Sequence, residues 1–212
     1  EPGFVMLQMH GGGYSGYVTG NTYVDTDCQF SCHDIFGGGL GSMPYGDYTD
    51  GSGFDFGSVK GNAEVFIKSG NVAHNVFGGG AGVESVKKNG NLIDFPDMAH
   101  VESTKVHIYG KTIKYRAGVG NISRTLIMGN VYGGGDVANV GSTKADAEVF
   151  SRDNYINPPN RTTLVNIRGG YIMSSVFAGG KGRSVTACAD NRKLGGVYGN
   201  TCLIFDRPVM KY

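Results

Sequence analysis

Four stretches decide the fold: IFGGG at 35–39, VFGGG at 76–80, VYGGG at 131–135 and VFAGG at 176–180. His10-Gly11-Gly12-Gly13 begins the series. Self-similarity of this kind is the signature of a repeat architecture. A second signal accompanies it: GNTYVDT at 20–26, GNAEVFI at 61–67, STKVHI at 103–108, TTLVNI at 162–167 and NTCLIF at 200–205. The two keep register, since Val24 to Gly37, Val65 to Gly78 and Val165 to Ala178 each span 13 residues. Val106 to Gly133 spans 14 more, which places an insertion within 111–125.

The second signal alternates as strands do, with Thr22/Val24/Thr26, Ala63/Val65/Ile67, Thr104/Val106/Ile108, Thr163/Val165/Ile167 and Thr201/Leu203/Phe205 on one face. One such strand buries little alone. Equivalent strands stacked about 4.8 Å apart turn each inward position into a continuous column. The aromatics Phe36, Phe77, Tyr132 and Phe177, each just before a triplet, predict an aromatic ladder beside a tight corner. Gly38, Gly79, Gly134 and Gly179, or the glycines after them, are expected at positive φ, with Ala178 marking the first triplet position as the least demanding. Val18, Val140 and Val185 lie 7 residues past the first triplet position and predict a third short strand. The expected fold is all-β, a right-handed parallel β-helix with three strands per coil. Extra length near 45–58, 87–101, 141–161 and 187–198 is expected after the third strand, gathering inserted loops on one flank.

Composition excludes several other classes. Collagen would need glycine at every third position and far more than 6 prolines, whereas the 37 glycines here are clustered. With 40% hydrophobic and 11% aromatic residues the chain can build a core, so disorder is excluded. A formal net charge of +1 from 19 basic and 18 acidic residues argues against nucleic acid as a partner. No apolar run approaches the roughly 20 residues of a membrane-spanning helix, so no membrane insertion by this segment is expected. Residues 1–212 read as one β-solenoid segment of a longer repeat protein, with flanking coils of its parent chain as neighbours.

The phrases GNTxVxI and NVFGGG, carried here by residues 20–26, 61–67 and 75–80, resemble the glycine-rich repeats of large adhesin-like surface proteins of Bacteroidetes and related anaerobic bacteria. The resemblance covers most of the chain outside the insertions. It implies an extracellular or cell-surface address, a structural or adhesive role and no catalytic residues.

Insertion 45–58 carries the candidate ligand-binding residues: Tyr45, Asp47, Tyr48, Asp50, Phe54 and Phe56. Aromatic faces stack on sugar rings and carboxylates accept hydroxyl hydrogen bonds, so the set suits a host or microbial glycan, or a surface protein. The competing reading is that these aromatics pin a long loop to the scaffold. Phe95 and Tyr155 extend the theme into later insertions. The aspartates lack the spacing of a dedicated calcium loop.

His33 and His74 share one repeat position and would stack, either as a polar pair or as two metal ligands without a third. Glu64 and Lys105 fall in one outward column, with Asp25 and His107 in the next. A polysaccharide lyase or hydrolase would place acid and base groups on such a face, whereas a cross-strand ion pair is the commoner use. Of the four cysteines, Cys28 and Cys32 are too far apart for a bridge unless the chain bends, and Cys188 with Cys202 could meet. Nothing calls for a cofactor. The leading expectation is a non-catalytic structural or adhesive module that binds glycan through its loops. The alternatives are a carbohydrate-active β-helix enzyme and a purely mechanical spacer.

Overall fold

The computed structural model describes residues 4–28, 30–48, 50–110, 112–113, 122–123, 125–141, 163–182 and 194–206. These residues are all-β, with no helix among them. The second repeat signal becomes β2 (Thr22–Thr26), β4 (Val59–Ile67), β9 (Val101–Ile108), β14 (Thr163–Ile167) and β17 (Thr201–Phe205). The five lie side by side in that order in one sheet, and every neighbouring pair is parallel.

The register is the one the alternation predicts. Val24 pairs with Val65, Val65 with Val106, Val106 with Val165 and Val165 with Leu203. The β-branched Thr, Val and Ile side chains suit a pleated, half-buried surface. The inward face is sealed in the middle strands, where Ala63, Val65, Ile67, Val106, Ile108 and Val165 are fully buried. At β17, whose partner is β14, the same face opens and Phe205 is 70% exposed.

The other large sheet holds β1 (Phe4–His10), β3 (Phe30–Phe36), β5 (Gly70–Val72), β6 (Val76–Phe77), β12 (Thr125–Ile127), β13 (Val131–Tyr132), β15 (Tyr171–Ile172) and β16 (Val176–Phe177). All its pairings are parallel. The long strand β3 faces two short ones, β5 and β6, because Ala73, His74 and Asn75 interrupt the next copy. Ile35, Val76 and Val131 from this sheet share one core with Val24, Val65 and Val106 from the first. Each fully buried side chain of this size contributes roughly 1.5–3 kcal/mol, so rows of them can stabilise a chain with no helices.

A third row consists of single bridges: Val18 with Val59, Val59 with Val101, Val101 with Val140 and Val140 with Val197, all parallel. Val18 and Val140 are where the spacing puts them. Val197 takes the place expected of Val185, which lies outside the described residues. Val59 and Val101 open β4 and β9, so the insertions near 45–58 and 87–101 enter before this row rather than after it. Only the 141–161 segment follows its member of the row, Val140.

Side-chain ladders reinforce the rows. The aromatic ladder runs His10, Phe36, Phe77, Tyr132, Phe177, with centroids 4.7, 4.7, 5.0 and 5.1 Å apart and rings within 10° of parallel. His10 is a member that sequence reasoning left out. A polar ladder runs beside it: Asp34 Oδ1 accepts from the Asn75 backbone N–H and side-chain amide, and Asn75 Oδ1 does the same for Asn130. Asn130 Oδ1 then accepts from the Ser175 N–H. Thr22, Thr104 and Thr163 donate to the carbonyls of Gly37, Gly133 and Ala178, tying the first sheet to the glycine corner.

The glycine triplets correct an expectation. None of Gly38, Gly79, Gly134 or Gly179, nor the glycine after each, has positive φ; the positive-φ glycines, such as Gly57 at 74° and Gly70 at 104°, lie in other turns. Close approach is the physical reason instead. A Cβ on Gly37 would lie 2.2 Å from the Gly78 carbonyl oxygen, and one on Gly38 would lie 2.7 Å from the Gly80 nitrogen. Backbone packs directly on backbone at this corner.

Candidate functional site

The insertions at 45–58 and 87–101 meet and form one lobe. In the second, β7 (Val86–Lys88) and β8 (Asn91–Ile93) pair antiparallel around Asn89 and Gly90, whose φ values are 51° and 80°. Asn-Gly favours such a two-residue hairpin turn, and this signal in the sequence could have located it. The hairpin and the segment after it supply Ile93, Phe95 and Met98, all buried, and Tyr48, Phe54, Phe56, Val83 and Val86 pack around them. The Tyr48 ring meets Phe54 at 5.8 Å and Phe95 at 5.6 Å, both edge-on.

Polar contacts lock the two insertions together. Lys88 Nζ lies 4.2 Å over the Tyr48 ring and 3.2 Å from Asp47 Oδ1. The Gly53 N–H donates to Asp97 Oδ2. Asp50 Oδ1 accepts from the Ser52 hydroxyl and N–H, and these two bonds hold its carboxyl below the usual range. Asp55 pairs with Lys60 at 2.7 Å.

The six candidate residues thus divide. Tyr48, Phe54 and Phe56 are half-buried in the lobe, while Tyr45, Asp47 and Asp50 are exposed. Phe95 is buried as their packing partner, and Tyr155 lies outside the described residues. The exposed set amounts to one free aromatic face and two carboxylates, Asp47 shared with Lys88 and Asp50 with Ser52.

On the outward face of the five-stranded sheet Glu64 and Lys105 form an ion pair at 2.9 Å, with side chains 17% and 16% exposed. One column away the His107 ring stacks on Phe66 at 4.8 Å. Desolvation holds the His107 pKa below its ordinary value, Glu64 opposing and Arg168 and Lys105 reinforcing that shift. Its register neighbour is Asn166, and His107 Nδ1 and Asn166 Oδ1 are both buried without a hydrogen-bond partner. Lys105 is therefore engaged by Glu64, and burial biases its neighbour His107 toward the uncharged imidazole.

The His33 and His74 rings lie 4.7 Å apart and tilted, with His74 Nδ1 3.7 Å from Asp34 Oδ2. Among the described residues no group of three His, Cys, Asp or Glu side chains converges as a metal site. Cys28, Cys32 and Cys202 are free thiols, and Cys188 lies outside the described residues. Burial, helped by the nearby Asp34 charge, pushes the Cys32 thiol up to about 11.

No protein-family model, curated protein or solved structure matches the chain.

Proposed function

We propose that the chain is a right-handed parallel β-helix with three strands per coil, serving as a structural and adhesive repeat module of a large bacterial surface or secreted protein. The observation that carries this reading is the unbroken parallel register of Val24, Val65, Val106, Val165 and Leu203. A row of that kind extends by adding copies, which suits a stiff rod better than a closed catalytic domain. The glycine-rich motifs that resemble large adhesin-like proteins support the same address.

The lobe built from residues 45–58 and 87–101 is the part that would meet a ligand. Its packed core of Phe95, Met98, Phe54 and Phe56 supports the reading that these aromatics hold the lobe rigid. The contact surface then falls to Tyr45, 103% exposed, with Asp47 and Asp50 beside it in the chain. A glycan fits this chemistry: a ring face stacks on Tyr45 and the carboxylates accept its hydroxyls.

Glycan-array binding of the chain and of Tyr45→Ala tests the proposal. Competable binding that the substitution abolishes supports the adhesive module. Product release from a panel of polysaccharides would favour the enzyme reading and move attention to Glu64 and Lys105. Absence of both activities would leave the mechanical spacer.

A further inference from the structure

One pair of rings in the second sheet departs from the stacking seen elsewhere. His10 lies flat on Phe36 at 3° and His107 flat on Phe66 at 6°, whereas the His33 and His74 rings, with centroids 4.7 Å apart, are tilted by 41°. The difference decides what the nitrogens can do. An imidazole lone pair points outward in the plane of its ring, so two rings stacked face to face send their lone pairs out side by side, while tilted rings can aim them at one point. Backbone fixes the spacing, because the His74 N–H donates to the His33 carbonyl at 2.8 Å.

The spacing suits a shared metal ion. At a metal–nitrogen distance of about 2.0–2.1 Å the centre of an imidazole ring stands roughly 3.2 Å from the metal. Two such rings with centroids 4.7 Å apart therefore subtend roughly 95° at the ion, whereas the tetrahedral angle would need about 5.2 Å. Adjacent positions of a tetragonal ion are separated by this smaller angle, and tetragonal nitrogen sites select Cu(II) or Ni(II).

The surroundings favour the same use. Asp34 Oδ1 is occupied by the Asn75 backbone N–H and side-chain amide, and Asp34 Oδ2 lies 3.7 Å from His74 Nδ1. That separation is an electrostatic contact rather than a hydrogen bond. A carboxylate on this side favours the proton on Nδ1 and leaves the Nε2 lone pair for a metal, the arrangement by which carboxylates orient metal-binding histidines. The next position in the row is Gly129, whose missing Cβ would lie 2.1 Å from the His74 carbonyl oxygen. No side chain from that position covers the His74 ring, and the His74 side chain is 58% exposed, with His33 exposed beside it.

We propose that His33 and His74 form a two-imidazole clamp for a tetragonal divalent ion, Cu(II) or Ni(II), with water in the remaining positions and Asp34 orienting His74. Two protein ligands leave the ion open to an incoming group.

Isothermal titration calorimetry with Ni(II) alone, which thiols do not reduce, tests the clamp in neutral buffer, since a ligand must be deprotonated to bind. Exposed thiols are first blocked with iodoacetamide, and circular dichroism checks the β fold of every variant. The unaltered chain should bind one Ni(II) at this site, and His33→Ala or His74→Ala should each weaken it at least about tenfold, because the second imidazole binds as a tethered neighbour. The double variant should bind no more weakly than either single one, as expected when both rings hold the same ion. His33→Asn and His74→Asn replace any alanine variant that fails to fold. Three results overturn the proposal: no Ni(II) binding by the unaltered chain, undiminished affinity in either single variant, or losses in the two single variants that add up in the double one.

Discussion

The place a Cβ would take on Gly78 lies 2.2 Å from the carbonyl oxygen of Gly133, a residue 55 positions later in the chain. That oxygen is backbone and cannot swing aside. Gly78→Ala should therefore push two copies apart and cost roughly 3 kcal/mol, at the upper end of ordinary overpacking. Urea unfolding should show a lowered midpoint with an unchanged slope. The comparison is Gly179→Ala, where a Cβ would meet nothing within 4 Å and the midpoint should move little.

Thr104 is fully buried and its hydroxyl donates to the Gly133 carbonyl. Thr104→Val keeps the shape and removes the donor, leaving a buried carbonyl unpaired. The expected loss is about 1–3 kcal/mol, read from the same unfolding curves. A loss near zero would mean that the threonine is there for its β-branched shape alone.

The strands were legible because Thr22, Val24 and Thr26 alternate within a few residues and recur with the triplets. The triplets are legible as a repeat and as a corner but not in their backbone angles, since close approach and positive φ both select glycine and only the backbone contacts distinguish them. The third row was half-read: Val59 and Val101 sit in polar segments, and parallel partners some 40 residues apart leave no local pattern to find. The lobe was read by composition, which cannot tell a sugar platform from a small aromatic core. Its hairpin, marked by Asn89-Gly90, was the missed clue.

His10 and His107 both have pKa values held below the ordinary 6.5, by burial first in each case. The unfolded chain therefore binds protons more readily than the folded one, and stability falls as pH drops from about 6.5 toward the lowered folded values. Above 6.5 this penalty is absent. Thermal melting at pH 7.5 and pH 5 should show the acid sample less stable. His107→Phe, which preserves stacking on Phe66 and removes the unpartnered Nδ1, should raise stability and flatten the pH dependence.

The lobe separates two uses of an aromatic side chain. Tyr48 and Phe54 meet each other and Phe95 edge-on, and Lys88 covers the Tyr48 face, so their rings are committed to joining the two insertions. Removing both with Tyr48→Ala and Phe54→Ala should cost about 2–4 kcal/mol, below the full value of two core aromatics because both are half-buried. In a chain of this size that loss lowers the melting temperature by several degrees, at roughly 2–4 °C per kcal/mol. Tyr45→Ala, at a fully exposed ring, should leave the melting temperature unchanged. A double variant that melts like the unaltered chain would mean that the packing of Tyr48 and Phe54 is incidental. Their faces would then be free to serve a ligand, and the contact surface would widen from Tyr45 to all three rings.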